Sequence, residues 1–211
     1  MILREGVAAL GVAATAALLV SAAYGWLAGL PLWLLLAWLT RVYWAHQPAV
    51  PAEPRGVLAP VAGRVLAIVE QDDPWLQRKA LRVSIRVAFP GILSLHSPTE
   101  GEVRDIYARH GVFGGVQRPC RDHESPDCYG QWLQTDEGDD VIYAVSSHFP
   151  VSRARFDHAP GERVGQGERC GFFYGASVAD VLIPAGSDVA VRVGDRVQPG
   201  ESVLALLEES R

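Results

Sequence analysis

Apolar side chains dominate the N-terminal part of the chain. Residues 6–39 contain no charged group, and the run is interrupted only by a Gly-Leu-Pro sequence that begins at Gly29. A helix needs about 20 apolar residues to cross the hydrocarbon core of a bilayer, and residues 6–28 meet that length. Pro31 suits the first turn of a second helix. The pattern predicts a transmembrane helical hairpin as a membrane anchor over residues 1–45, with a single span and an interfacial helix as the alternative.

Basic residues lie at both ends of the apolar stretch and are missing from its centre. Arg4 precedes the stretch, and Arg41 and Arg55 follow it. Under the positive-inside rule such residues stay in the cytoplasm. We therefore expect a protein of the inner (cytoplasmic) membrane whose soluble domain faces the cytoplasm. A cleaved signal peptide is the alternative, but a second apolar segment follows at once, which favours an anchor.

After the apolar stretch the pattern changes twice. Residues 46–56 contain three prolines, which exclude a helix and predict an extended linker. Residues 57–211 contain short runs of alternating apolar and polar side chains, such as 64–69 and 81–87, which predict β-strands separated by turns. The predicted fold class is therefore mostly β, in a domain of residues 57–211.

One turn sequence occurs twice in this domain. Residues 161–168 and 194–201 both read G-[DE]-R-V-x-x-G-E. They resemble the hammerhead turns of the biotinyl/lipoyl barrel proteins, and the resemblance predicts a barrel-like domain of two hammerhead units. Carriers of that kind bear a lysine at a hairpin tip. The single lysine of this chain, Lys79, lies far from both turns, so a carrier role is not favoured.

Composition restricts the function further. The chain of 211 residues has a net charge of −5, which gives no indication of a nucleic-acid partner. Cys120, His123 and Cys128 have a spacing that could hold zinc, but no fourth ligand is evident. A disulfide bond is an alternative, and a surface loop with unligated thiols is favoured over both. No metal site is therefore predicted.

The most informative stretch is residues 167–184, GERCGFFYGASVADVLIP. Two runs of aromatic and β-branched residues predict two strands, and small residues around Ser177 predict a tight turn between them. The stretch resembles a segment of the phosphatidylserine decarboxylase family, G-E-R-F-G-M-I-x-F-G-S-x-x-D. The matching residues are Gly167, Glu168, Arg169, Gly171, Ser177 and Asp180. The resemblance implies that the Ser177 hydroxyl attacks the carbonyl of Ala176, that the chain is cut between them, and that Ser177 becomes a pyruvoyl cofactor.

Other positions of the family are retained or replaced. His96 lies two residues before Pro98, as does the second histidine of the family's H-x-x-H-x-P core, and the resemblance assigns it to self-cleavage and decarboxylation. Leu93 stands in place of the first histidine. Ala62 replaces the aspartate that promotes cleavage in the family, and Ala176 replaces the glycine before the serine. A substitute carboxylate could come only from an aspartate that the fold brings close: Asp72, Asp73 or Asp180.

Substrate contacts are suggested by the same resemblance. Arg153 and Arg155 lie where the family has an A-R-R stretch, and guanidinium groups bind phosphate oxygens in pairs. Phe113 lies in a glycine-rich loop that suits insertion into lipid. These three residues are the predicted substrate-binding groups.

The resemblance implies a membrane-anchored phospholipid decarboxylase, a carboxy-lyase of phospholipid biosynthesis. Its pyruvoyl group would form a Schiff base with the amine of phosphatidylserine or a close analogue, and loss of carbon dioxide would leave the ethanolamine lipid. The phospholipid and the membrane are the predicted partners, and a homodimer is left open. The alternative is an uncleaved, non-catalytic relative that binds phospholipid or scaffolds other membrane enzymes.

Overall fold

The computed structural model describes residues 4–43, 48–53, 55–73, 75–88, 94–109, 127–147, 153–175 and 178–208. Within these residues two α-helices precede fourteen β-strands. The helices are α1 (Arg4–Tyr24) and α2 (Trp26–Val42). The strands are β1 (Gly56–Leu58), β2 (Gly63–Asp72), β3 (Lys79–Val87), β4 (Ser94–His96), β5 (Gly101–Arg109), β6 (Asp127–Gln134), β7 (Asp140–Ser147), β8 (Arg153–Phe156), β9 (Arg163–Val164), β10 (Arg169–Tyr174), β11 (Val178–Pro184), β12 (Asp188–Val189), β13 (Arg196–Val197) and β14 (Val203–Leu206). The helices and the β domain form two compact units.

The two apolar helices fold back on each other. Gly25 joins them with φ +86°, a left-handed conformation that glycine adopts without strain. Trp33 Nε1 donates a hydrogen bond to Ser21 Oγ at 3.2 Å, and Gly29 lies so close to Ser21 that a Cβ would collide with its hydroxyl. Within α1, Val7–Tyr24 is long and apolar enough to cross a bilayer, whereas α2 is a shorter apolar helix.

The chain reverses direction earlier than the sequence predicts. The sequence predicts the break at residues 29–31, but α2 begins at Trp26 and Pro31 lies inside it. Gly25 makes the turn instead, because its positive φ reverses the chain without a proline. The predicted place of Pro31 in the first turn is therefore wrong. The predicted N-terminal apolar helix is confirmed.

The described part of the β domain contains three antiparallel sheets. The largest has eight strands in the order β13-β2-β3-β11-β7-β6-β5-β9, and the smaller ones have the orders β1-β14-β12 and β4-β10-β8. The mostly β fold class is confirmed. The main core consists of buried apolar side chains from all three sheets, among them Val83, Val181, Leu95 and Leu204. Burial of this apolar surface is the main force that holds the sheets together.

An internal two-fold relation runs through the domain. In the large sheet β13, β2, β3 and β11 correspond to β9, β5, β6 and β7, and in the small sheets β1-β14-β12 corresponds to β4-β10-β8. The correspondence extends to the register. Leu58 pairs with Val203 after a bulge between β1 and β14, as His96 pairs with Arg169 after a bulge between β4 and β10. The two halves therefore repeat one backbone arrangement with different side chains.

The repeated turn sequence makes the same backbone hydrogen bonds in both halves. Gly161 N donates to Val103 O at 2.8 Å, and Gly194 N donates to Val65 O at 2.8 Å. Both glycines have a left-handed φ, of +91° and +98°, which strains any other L-residue. The sequence repeat thus marks the internal two-fold relation of the fold.

A buried polar cluster joins three strands within the core. The Tyr143 hydroxyl donates to Gln131 Oε1 and lies 2.9 Å from Cys170 Sγ. Burial raises the pKa of Cys170 to about 12. Burial, followed by the neighbouring Cys170, raises the pKa of Tyr143 well above its ordinary value of 10.0. Both groups therefore keep their protons in the folded protein.

These pKa shifts predict a loss of stability in alkali. Below the ordinary cysteine pKa of 9.0, neither state loses these protons, so the free energy of unfolding is unchanged. As pH rises from 9.0 towards about 12, the unfolded chain loses protons that the folded chain keeps. Stability then falls by up to about 1.4 kcal/mol per pH unit for each group. In denaturant titrations of the detergent-solubilised chain, Cys170→Ala should lose stability less steeply than the wild type across this range. Equal slopes for the two proteins would contradict the assignment.

Candidate active site

The segment that is predicted to be cut lies between strands of different sheets. β10 ends at Tyr174 in the middle of a three-stranded sheet, and β11 begins at Val178 between β3 and β7 of the large sheet. Gly175 follows β10 with φ +74°, which favours glycine. Both predicted strands are present, although they do not pair with each other. Ala176 and Ser177 lie outside the described residues.

Two neighbouring serines at the end of β7 bind the backbone on both sides of this segment. Ser147 Oγ donates to the carbonyl oxygen of Gly175. Ser146 Oγ donates to the carbonyl oxygen of Val178 at the longer distance of 3.5 Å. One strand therefore holds the last described carbonyl before the segment and the first one after it. Neither serine is predicted from the sequence, because a pair of serines at a strand end has no distinctive pattern.

His96 lies on β4, beside the start of β10. Its Cα pairs in register with that of Arg169, and its backbone N–H donates to Pro60 O at 3.0 Å. The residue is buried, with 1% of its surface exposed. Leu95 packs into the main core, so Ser94 and His96 project from the other face of the strand. β10 then runs from this pair to the predicted cleavage segment.

The strand pair β8–β10 presents charged and aromatic groups side by side. Arg155 pairs in register with Phe172, and Arg153 pairs with Tyr174. The Arg155 side chain is 80% exposed, with its Nε 3.9 Å from Asp157 Oδ1, while the side chain of Arg153 lies outside the described part. The rings of Phe172 and Tyr174 have centroids 6.4 Å apart. Because register partners share a face of a sheet, Arg155 and the two rings form one amphipathic surface that leads to the end of β10.

A buried alanine occupies the position of the family's aspartate. Ala62 O accepts a backbone hydrogen bond from Ala88 N at 3.0 Å, and Pro60, two residues earlier, is bound to His96 N. Position 62 therefore lies two residues after Pro60, whose carbonyl group contacts β4 directly. Alanine offers no carboxylate there, so the predicted attack by Ser177 would need a base from another residue.

The three aspartates considered as substitutes lie in different surroundings. Asp72 forms an ion pair with Lys79 at 2.8 Å. Asp73 accepts hydrogen bonds from backbone N–H groups of its own loop. Asp180 accepts a hydrogen bond of 2.5 Å from Ser84 Oγ on the neighbouring strand β3. Of the three, Asp180 lies on the strand that directly follows the cleavage segment.

The other candidate residues fall mostly outside the described residues. Phe113, Cys120 and His123 are among these. Cys128 is buried on β6 and is half of a disulfide bond, so it is not the free thiol that the sequence favours. A cysteine in a disulfide has no thiolate to offer a metal. No group of three possible metal ligands occurs within the described part of the chain.

Comparison with known proteins assigns the family. The family model for phosphatidylserine decarboxylase matches residues 35–205. The phosphatidylserine decarboxylase proenzyme of Nitrosomonas europaea is 35% identical over 97% of this chain and 94% of its own length. That of Burkholderia ambifaria is 30% identical over 99% of this chain and 97% of its own. No solved structure matches the chain. The chain belongs to the phosphatidylserine decarboxylase family, as the resemblance at residues 167–184 predicts.

The serine pair provides a test of the local geometry. Ser147→Ala removes the hydrogen bond to the Gly175 carbonyl, and we expect cleavage before residue 177 to slow about tenfold, the effect of losing roughly 1.4 kcal/mol. Ser146→Ala is the matched control, because its longer hydrogen bond is weaker, and its rate should stay within about twofold of the wild type. The rates are read by electrophoresis as full-length chain disappears after cell-free synthesis. Equal rates for the two variants would show that the Gly175 contact has no special role.

Proposed function

We propose that this protein is a membrane-anchored phospholipid decarboxylase that cuts its own backbone between Ala176 and Ser177. It then acts as a carboxy-lyase and converts phosphatidylserine or a close analogue to the ethanolamine lipid. The observation that carries the proposal is the segment between Gly175 and Val178, which connects two sheets and is held at both ends by serines of β7. The relatives from Nitrosomonas and Burkholderia are named proenzymes, which agrees with a chain that is processed.

The proposed cleavage consumes only water. The Ser177 hydroxyl adds to the carbonyl carbon of Ala176, and the peptide C–N bond breaks to leave an ester and a free amine at residue 177. Loss of the Cα proton of residue 177 expels the Ala176 carboxylate and leaves a dehydroalanine. This group rearranges to an imine, takes up water and releases ammonia. The new chain then begins with a pyruvoyl group, a ketone next to the first amide.

Described residues support separate parts of this reaction. Ser147 holds the Gly175 carbonyl, so the backbone just before the attacked bond stays fixed. His96, which the resemblance assigns to self-cleavage, is the proposed base for the Ser177 hydroxyl. It lies at the Arg169 end of β10, so this role requires the Ser177 hydroxyl to reach back along that strand. Ala62 leaves no carboxylate at the family position, so the base is sought among the other residues.

The chain's own residues also position the lipid. A pyruvoyl carbonyl supplies an electrophile for the head-group amine and an electron sink for decarboxylation. Arg155 combines a phosphate-binding guanidinium group with the neighbouring rings of Phe172 and Tyr174, which suit the apolar part of a lipid. Arg153 and Phe113 are proposed to complete this surface.

The apolar helices account for the proposed location. Val7–Tyr24 has the length and composition to span a membrane, and the arginines at both ends of the apolar stretch favour a β domain on the cytoplasmic side. The disulfide bond of Cys128 is a feature that is uncommon in a reducing cytoplasm. Residues 1–45 are the proposed anchor, 46–56 the linker and 57–211 the decarboxylase domain. A phospholipid substrate stays in the bilayer, so an anchored enzyme meets it at the membrane surface.

One observation favours a second candidate function. Ala62 lacks the carboxylate that promotes self-cleavage in the family. A chain that does not cut itself would be a non-catalytic relative that binds phospholipid or scaffolds other membrane enzymes. It would remain a single polypeptide of 22.8 kDa.

Electrophoresis of the purified protein distinguishes the two candidates. We expect the wild type to give a fragment that ends at Ala176 and a fragment of residues 177–211, and Ser177→Ala to stay whole, because only the serine hydroxyl can start the reaction. The same samples are assayed for release of carbon dioxide from phosphatidylserine. A wild-type chain that stays unbroken and inactive would establish the non-catalytic alternative.

A substitution of His96 separates the two reactions proposed for it. If His96 is the base for Ser177, His96→Ala should remain uncut, because no other described group has been assigned to take the proton. Cleavage with loss of decarboxylation would restrict His96 to the second reaction. Cleavage and decarboxylation at wild-type rates would reject both roles.

A further inference from the structure

Three arginines form a row across the large sheet that stops at the strand following the cleavage segment. Arg196 on β13 pairs in register with Arg64 on β2, and Arg64 pairs with Arg86 on β3. Arg86 in turn pairs with Val178, the first residue of β11. Adjacent strands lie about 4.8 Å apart and register partners share a face. We call Arg196, Arg64 and Arg86 the arginine row.

The arginine row lies on the side of the sheet away from the main core. Val197 and Val65, which follow Arg196 and Arg64, belong to the core, and Val87, which follows Arg86, packs against it. The arginines themselves therefore face outwards. All three are exposed. This orientation leaves their guanidinium groups open to a partner.

Within the described residues, none of the three side chains forms an ion pair or a side-chain hydrogen bond. Like charges that are directly opposite each other in a sheet are destabilising, so the row weakens the fold that carries it. The acidic group on this face of β11 is Asp180, and its carboxylate accepts a hydrogen bond from Ser84 Oγ. This cluster of three positive charges occurs in a chain whose net charge is −5.

The other half of the domain shows that the fold does not require this charge. Under the internal two-fold relation the arginine row corresponds to Arg163, Glu102 and Gln134, and Val178 corresponds to Asp140. There Arg163 binds Asp136 at 2.6 Å, and Arg104 binds Glu102 at 2.8 Å and Gln134 at 2.6 Å. The same backbone positions thus carry ion-paired side chains in one half and three unpaired arginines in the other.

We propose that the arginine row is a docking surface for anionic phospholipid head groups of the membrane. Guanidinium groups bind phosphate oxygens bidentately, and an anionic leaflet attracts basic residues near its surface. Three guanidinium groups in a row can contact several neighbouring phosphate groups, which favours a lipid surface over a single bound anion. Because the row ends at Val178, docking brings the end of the cleavage segment to the lipid surface. The inference rests on the proposed function only in placing the β domain beside a membrane.

The experiment compares two double variants that lose the same charge. Arg64→Gln with Arg86→Gln removes two members of the arginine row, whereas Arg104→Gln with Arg163→Gln removes two ion-paired arginines of the other half. Each full-length chain, in neutral detergent micelles, is mixed with phosphatidylglycerol or phosphatidylcholine, and native mass spectrometry counts the retained lipids. The wild type and the second variant should retain severalfold more phosphatidylglycerol than phosphatidylcholine. The first variant should lose this preference.

A stability control and several possible outcomes test the docking proposal further. The first variant should unfold at the same temperature as the wild type or higher, since it relieves repulsion, so its loss of lipid cannot be attributed to misfolding. An unchanged preference in the first variant, or an equal loss in both variants, would overturn the proposal. Displacement of the lipid by an equal concentration of inorganic phosphate, or tighter binding of a DNA oligonucleotide, would also overturn it.

The same measurement is made on a Ser177→Ala chain, which stays whole whether or not the wild type cuts itself. A lipid preference in this background supports the docking surface even if self-cleavage fails. If the Ser177→Ala chain shows no lipid preference, the docking surface is rejected even if the wild type cuts itself. The two proposals therefore fail independently.

Discussion

Between Gly175 and Val178 the backbone leaves one sheet and enters another, and the rest of the site depends on this constraint. β10 is paired on both sides by β4 and β8, and β11 is paired on both sides by β3 and β7, so neither strand can shift to relax the connection. Ser147 and Ser146 hold the carbonyl groups at its two ends. A connection with fixed ends restricts the orientation of the groups within it, which is how intramolecular reactions gain rate.

The internal two-fold relation shows which side chains in each half the backbone arrangement does not itself require. His96 and Leu58 occupy equivalent positions in β4 and β1, and both are buried. A leucine satisfies the fold at this position in the other half, so packing does not by itself require a histidine. The arginine row lies in the half that carries Leu58, and its ion-paired counterpart lies in the half that carries His96. In each case one half shows a side chain that the backbone accepts, and the other carries a residue for which we propose a role.

Local features of the fold could be predicted from the sequence, and long-range ones could not. The apolar run of residues 6–39, the strands on either side of Ser177 and the repeated turn at residues 161–168 are all visible in adjacent residues. The pairing of β10 with β4 and β8 depends on contacts distant in sequence. The same holds for Ser147 and for the helix break, which lies at Gly25 and not at the Gly-Leu-Pro sequence. The roles of Ser177, Ala176, Phe113, Cys120 and His123 stay predictions.

The chemistry at the start of the C-terminal fragment is the most direct test of self-processing. Intact-mass spectrometry of the purified, membrane-extracted protein measures it without an activity assay. We expect a fragment of residues 177–211 in which a pyruvoyl group stands in place of Ser177, with an amino terminus that is blocked to sequential degradation. An uncut chain, or a fragment that begins with an intact serine, would contradict the proposed self-processing.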